Sequence, residues 1–231
     1  MGKAGGGKTK SQSAVMLYYQ AMRQHFGDPH WWPARTTVEV VIGAVLTQNT
    51  NWRNVEKAIA NLATHHCLDA EKILALPTAK LEQLIRPSGY FRIKAQRLRR
   101  VMEWYASHNK AGLESFDTIP TGELRAQLLA INGVGPETAD SILLYALQRP
   151  VFVIDAYTRR LAQRHKLMPD KDCQDYHALQ DYFQRQVPAQ AEVYNQYHAL
   201  IVQTGKHFCG PEAKCDQCPL RGFLPSQRHK R

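Results

Sequence analysis

Cysteine is sparse in this chain, and acidic residues are outnumbered. Five cysteines stand among 231 residues. An odd count with no signal segment ahead of it argues against a disulfide framework of the secreted kind. No apolar run approaches the roughly 20 residues that a bilayer-spanning helix needs, so no membrane partner is expected. The first thirteen residues, MGKAGGGKTKSQS, lack the apolar centre of a secretory signal. They read as a flexible basic tail on a cytoplasmic protein, with a second basic tail at 225–231. Also missing are an internal repeat and any alternation of strands with helices, which removes solenoids and doubly wound sheets from consideration.

What is present is positive charge on an ordinary globular composition. Thirty Lys and Arg face twenty Asp and Glu, a net charge of +10, and 44% of residues are hydrophobic. Arg92, Lys94, Arg97, Arg99 and Arg100 fall in one helix-like segment, and Arg159, Arg160, Arg164 and Lys166 in another. Such a field attracts polyanions, with nucleic acid first among them; the rival reading is a well-solvated surface.

Helical periodicity runs through nearly every segment, so the predicted fold class is all-α. Helices are expected at 14–26, 38–48, 55–66 (capped by Asn51 or Asn54), 70–76, 80–85, 93–108, 121–131 (capped by Thr121) and 136–147. They continue at 155–166, and in the segments DYHALQDYFQRQV and EVYNQYHALIVQTGKHF. VFVI (151–154) has strand composition but stands alone between helices, and is read as an extended buried link.

Between two of these helices lies INGVGPETAD, residues 131–140. Glycines permit positive φ and close approach of another backbone. Pro136 suits the first position of a helix whose amides are unpaired. The arrangement serves either as a tight structural turn or as a cradle for an anion such as a DNA phosphate. Asp155, behind the apolar link, reads on its own as a helix N-cap.

LLAINGVGPETAD followed by VFVIDAYTRR resembles the helix-hairpin-helix DNA glycosylases of the endonuclease III type. VIGAVLTQNTNW (41–52) is similar to that family's wedge-bearing segment. HWWPA and RPSGYFRIKAQRL (86–98) look most like its bacterial 3-methyladenine branch. The likeness extends over roughly residues 28–220.

The resemblance implies two helical subdomains flanking a DNA-binding cleft: 36–145 as a six-helix unit carrying the hairpin, and 14–35 with 146–208 as the other. The implied activity is base excision by a monomeric, nucleoid-acting DNA N-glycosylase on double-stranded DNA containing a damaged base. Asp155 becomes the catalytic carboxylate, stabilising the oxocarbenium-like sugar and orienting water. Gly133, Val134, Gly135 and Thr138 become the phosphate grip, and Gln48 the wedge. Trp31, Trp32 and Pro33 become the base pocket, although tryptophans are as readily core. Trp52 would join the pocket rim, and Lys206 would touch phosphate or base unless it is simply solvated.

Bifunctional members carry a lysine at the second position after GVG, where it forms a Schiff base. This chain has Glu137 there, which closes that route. The expected reaction is therefore hydrolysis alone, with an alkylated purine such as 3-methyladenine as substrate. The rivals are an endonuclease III-like enzyme for oxidised or mismatched bases with AP-lyase activity, and a damage-binding module without catalysis.

Many relatives hold a [4Fe–4S] cluster on four cysteines in the segment corresponding to 209–224. Here Cys209, Cys215 and Cys218 remain and Leu224 takes the fourth slot. Three outcomes stay open: a cluster with one iron served otherwise, zinc on three thiolates plus His207, or a loop without metal.

Overall fold

Short polar side chains cap five of the described helices. In the computed structural model, which describes residues 13–29 and 36–225, α1 (Ala14–Phe26) begins where Ser13 Oγ accepts the Met16 amide at 3.4 Å. α2 (Thr37–Leu46) begins on Thr36 Oγ1, 3.2 Å from the Glu39 amide. α3 (Trp52–Thr64) begins on Asn51, whose Oδ1 accepts the Asn54 amide at 3.1 Å. α4 (Ala70–Ala75) starts on Asp69 and α5 (Thr78–Ile85) behind Pro77. A 3-10 turn at Arg86–Ser88 then leads into α6 (Phe91–His108).

α7 (Thr121–Ala130) and α8 (Pro136–Ser141) follow, the latter continuing into a π-helical turn at Ile142–Ala146. The chain is completed by α9 (Ala156–Arg164), α10 (Asp170–Gln174), α11 (Tyr176–Gln184) and α12 (Ala191–His207). Apart from one isolated bridge between Cys209 and Ala213, no β-structure occurs among the described residues, and the fold is all-α. No described helix is long and apolar enough to cross a membrane.

Two details depart from expectation. Thr121 is the first residue of α7 rather than its cap, because Pro120 takes the flanking position and no side chain caps this end. α10 is an additional helix; at five residues it is too short to show a period.

By internal contacts the chain divides into two compact units. One comprises residues 30–155 with 189–196; the other comprises 1–29, 156–188 and 197–231. The first is built on α2, whose residues from Val40 to Leu46 are all buried and which packs on α3 and α6; Val55 and Leu62 of α3 and Leu98, Val101 and Met102 of α6 are buried with it. The link Val151–Ile154 is extended, unpaired and buried in this unit, with the Phe152 ring 5.2 Å from that of Tyr194. The second unit centres on Tyr18, Met22, Leu161, Phe183, Tyr197 and Leu200. Tyr197 is buried and its hydroxyl donates to the Val15 carbonyl; burial holds its pKa well above the usual phenol range. At about 1.5–3 kcal/mol per fully buried large apolar side chain, both cores are substantial for their size.

Candidate active site

The hairpin between α7 and α8 is fixed from three sides. Inside it, the Val134 amide closes a turn on the Ile131 carbonyl at 3.0 Å, and Gly133 takes a left-handed φ of 89°. Val134 is buried and anchors the turn, while the two glycines are exposed. Behind it, Arg125 of α7 grips Asp140 of α8 through two bonds, at 2.7 and 3.1 Å, with Asp140 fully buried. A two-pronged guanidinium bond sets both the spacing and the rotation of the helices. Beside it, Arg100 of α6 donates to the Asn132 carbonyl at 3.2 Å.

Gln48 and Thr138 are brought together. Gln48 Nε2 donates to Thr138 Oγ1 at 3.0 Å, so the proposed wedge amide rests on the first turn of α8. Thr138 is buried and Gln48 half-buried. Gln48 sits in a short loop, 47–51, in which Asn49 takes a left-handed φ of 52°. The base of that loop is held by a residue that sequence reasoning missed. Lys94 is 2% exposed, and its ammonium donates to the carbonyls of Leu46 at 2.9 Å and Ser88 at 2.6 Å. Burial, with the charge of Arg97 adding to it, pulls Lys94 down to about 8 from 10.5. A signal existed: Lys94 shares the stripe of Leu98, Val101 and Tyr105, where a solvated lysine would not belong.

Asp155 closes the buried link, half-buried, directly after the fully buried Ile154 and directly before α9. Glu137 is half-buried in the first turn of α8, where its carbonyl accepts Ser141 Oγ at 2.7 Å. Trp52 is half-buried at the start of α3. Lys206 is exposed in the last turn of α12. Trp31, Trp32 and Pro33 lie outside the described residues.

Whether the cysteine segment can hold a metal depends on its donors. A cluster or a zinc ion needs convergent thiolates. Among the described residues no three of His, Cys, Asp and Glu converge as a metal-holding group. Arg164 NH1 instead lies 3.2 Å from Cys209 Sγ and donates to the Gly210 carbonyl at 2.8 Å. Burial pushes the Cys218 thiol up, favouring its protonated form, and the His207 ring packs against Phe26 and Phe208.

A glycine turn between two helices locked by a buried ion pair, on a chain of net charge +10, defines a helix-hairpin-helix protein of DNA-binding type. Residues 42–189 match the HhH-GPD superfamily of base excision DNA repair proteins, and the chain belongs to that superfamily. It is 45% identical, over 94% of its length and the whole of the relative, to a Methanocaldococcus jannaschii protein assigned by inference as a DNA repair glycosylase. It is 25% identical to endonuclease III of Thermotoga maritima, covering 83% of this chain and 84% of that one.

Among solved structures it resembles the H. pylori 3-methyladenine DNA glycosylase bound to 1,N6-ethenoadenine. That TM-score is 0.72 at 28% identity, covering 83% of this chain and 97% of the other. An endonuclease III trapped as a covalent intermediate on DNA gives 0.76 over 94% and 96%, at 20% identity, a likeness of fold alone. The chain is a DNA glycosylase of base excision repair.

Proposed function

We propose that this glycosylase is monofunctional, acts as a monomer on double-stranded DNA, and hydrolyses the N-glycosidic bond of a flipped alkylated purine such as 3-methyladenine. Glu137 carries the reading. It stands at the second position after Gly133-Val134-Gly135, where strand cleavage requires an amine to attack the sugar. A carboxylate cannot form the imine. Nor does Lys94, the described lysine pulled down to about 8, replace the amine, because its ammonium is spent on two backbone carbonyls.

The substrate half draws on the likeness to the H. pylori enzyme and on the Trp31-Trp32-Pro33 segment. An alkylated purine is cationic. It leaves as a neutral base, so little acid catalysis is needed at the base, and an indole face attracts it by about 0.5–2 kcal/mol. In the reaction the C1′–N bond breaks with its electron pair going to the base. The Asp155 carboxylate stabilises the positive sugar, and a water oxygen bonds to C1′ while its proton passes through Asp155 to solvent. Gly133, Val134, Gly135 and Thr138 hold the phosphate, and Gln48 fills the hole left by the extruded base, whose unstacking costs a few kcal/mol. Trp52 borders the pocket, and Lys206 contacts the substrate strand.

The test is a panel of duplexes, each bearing one lesion, assayed for free base and for strand breaks before and after hot alkali. Free 3-methyladenine with breaks only after alkali is expected. Breaks without alkali, or a complex trapped by borohydride, would sink the monofunctional assignment. Release of oxidised pyrimidines but not alkylpurines would sink the substrate.

A further inference from the structure

Arg97 is a half-buried residue whose guanidinium has no hydrogen-bond or ion-pair partner among the described residues. Its neighbours on α6 and on the hairpin make that unusual. One helical turn later, Arg100 binds the hairpin through Asn132, and Arg125 has its own carboxylate in Asp140. One turn earlier lies the buried Lys94 ammonium, whose proton affinity is reduced by burial first and by the charge of Arg97 second. Two positive groups thus adjoin, and neither is bonded to a described carboxylate.

The stem of Arg97 lies directly against the hairpin. A Cβ placed on Gly133 would fall 2.8 Å from Arg97 Cγ and 2.9 Å from Cδ. The missing side chain of Gly133 is what lets Arg97 lie alongside the turn. Residues three apart on a helix share a face, so Arg97 and Arg100 form one basic edge beside Ile131–Gly135.

We propose that Arg97 is a phosphate-binding residue, its guanidinium taking an oxygen of the DNA strand gripped by the Gly133–Gly135 turn. This arm from α6 adds a formal charge to a grip otherwise made of backbone. A planar guanidinium suits a phosphate by bidentate bonding. The proposal rests on the hairpin binding DNA phosphate and is independent of which base the enzyme releases.

The experiment is binding of the full chain to an undamaged duplex across a salt series. Each phosphate neutralised adds about 0.9 to the slope of log K against log salt. Arg97→Gln is expected to lower that slope by about 0.9 and to weaken binding roughly five- to tenfold at low salt. Arg97→Lys is expected to keep the wild-type slope. Folding of each variant is checked by circular dichroism and melting. An unchanged slope in Arg97→Gln, or a loss of slope in Arg97→Lys equal to that in Arg97→Gln, overturns the assignment. Failure of the substrate proposal would appear in base release and leave these slopes untouched.

Discussion

Gln48 and Thr138, ninety positions apart in sequence, share a 3.0 Å hydrogen bond that must break if Gln48 is to enter a duplex. A bond of this kind contributes about 1 kcal/mol net. Thr138→Val removes the acceptor but keeps the amide of residue 138. Affinity for an abasic-site duplex, read by fluorescence anisotropy, should rise by up to about fivefold. A fall of similar size would show that the hydroxyl itself holds DNA.

Asp155→Asn keeps the size of the side chain and removes its charge. Single-turnover base release should fall on the order of 10³-fold, the scale of losing one aligned electrostatic group. Affinity for a lesion duplex should stay within about twofold, since phosphate contacts dominate binding. Unimpaired release in this variant would remove Asp155 from the mechanism.

Lys94 makes stability depend on pH. Its folded pKa, about 8, lies below the unfolded value near 10.5, so between these the unfolded chain binds more protons. The contribution is therefore regained as pH rises through this window and lost as pH falls back through 8. The full excursion is about 3 kcal/mol. Urea unfolding at intervals from pH 7.5 to 10.5 should show the rise in wild type and lose it in Lys94→Met. Equal slopes in the two proteins would reject the buried charge as its source.

Arg125→Ala leaves the Asp140 carboxylate buried without its guanidinium. Breaking one side of a buried pair costs about 3–5 kcal/mol. A large drop in melting temperature should accompany loss of duplex binding, because the pair sets the spacing of the hairpin helices. Arg125→Lys, which cannot make both bonds at once, should recover only part of either.

Chelation should leave the melting temperature unchanged, since the cysteine segment is tied to α9 by Arg164 rather than by convergent thiolates. A clear fall in melting temperature after exhaustive chelation would show a bound metal that supports the fold.

The hairpin was legible because Gly133, Gly135 and Pro136 punctuate the chain in a way only turns and helix starts use. The buried link was legible because Val151–Ile154 has strand composition with no partner nearby. Lys94 was legible only as a lysine on an apolar stripe, and its partners were not, since the carbonyls that accept its ammonium come from positions 46 and 88. The Gln48–Thr138 bond depends on how α2 meets α8, which no local pattern encodes. Nor could the cysteine spacing reveal that an arginine from α9 approaches Cys209. Ligand residues are recognised by type and interval, whereas what lies beside them depends on tertiary packing.

Four buried residues in a row lead the chain to Asp155. To let the backbone at Asp155 wander, the protein would have to expose the side chains of Val151, Phe152, Val153 and Ile154 together. At about 1.5–3 kcal/mol for each fully buried large side chain, such local opening approaches the stability of a whole small domain. Thermal fluctuation thus offers no cheap way to displace the backbone at Asp155, and under the proposed mechanism the enzyme begins each encounter with that residue already in place. Under the same proposal, the motion needed to reach a lesion falls to the DNA and to the short loop that carries Gln48.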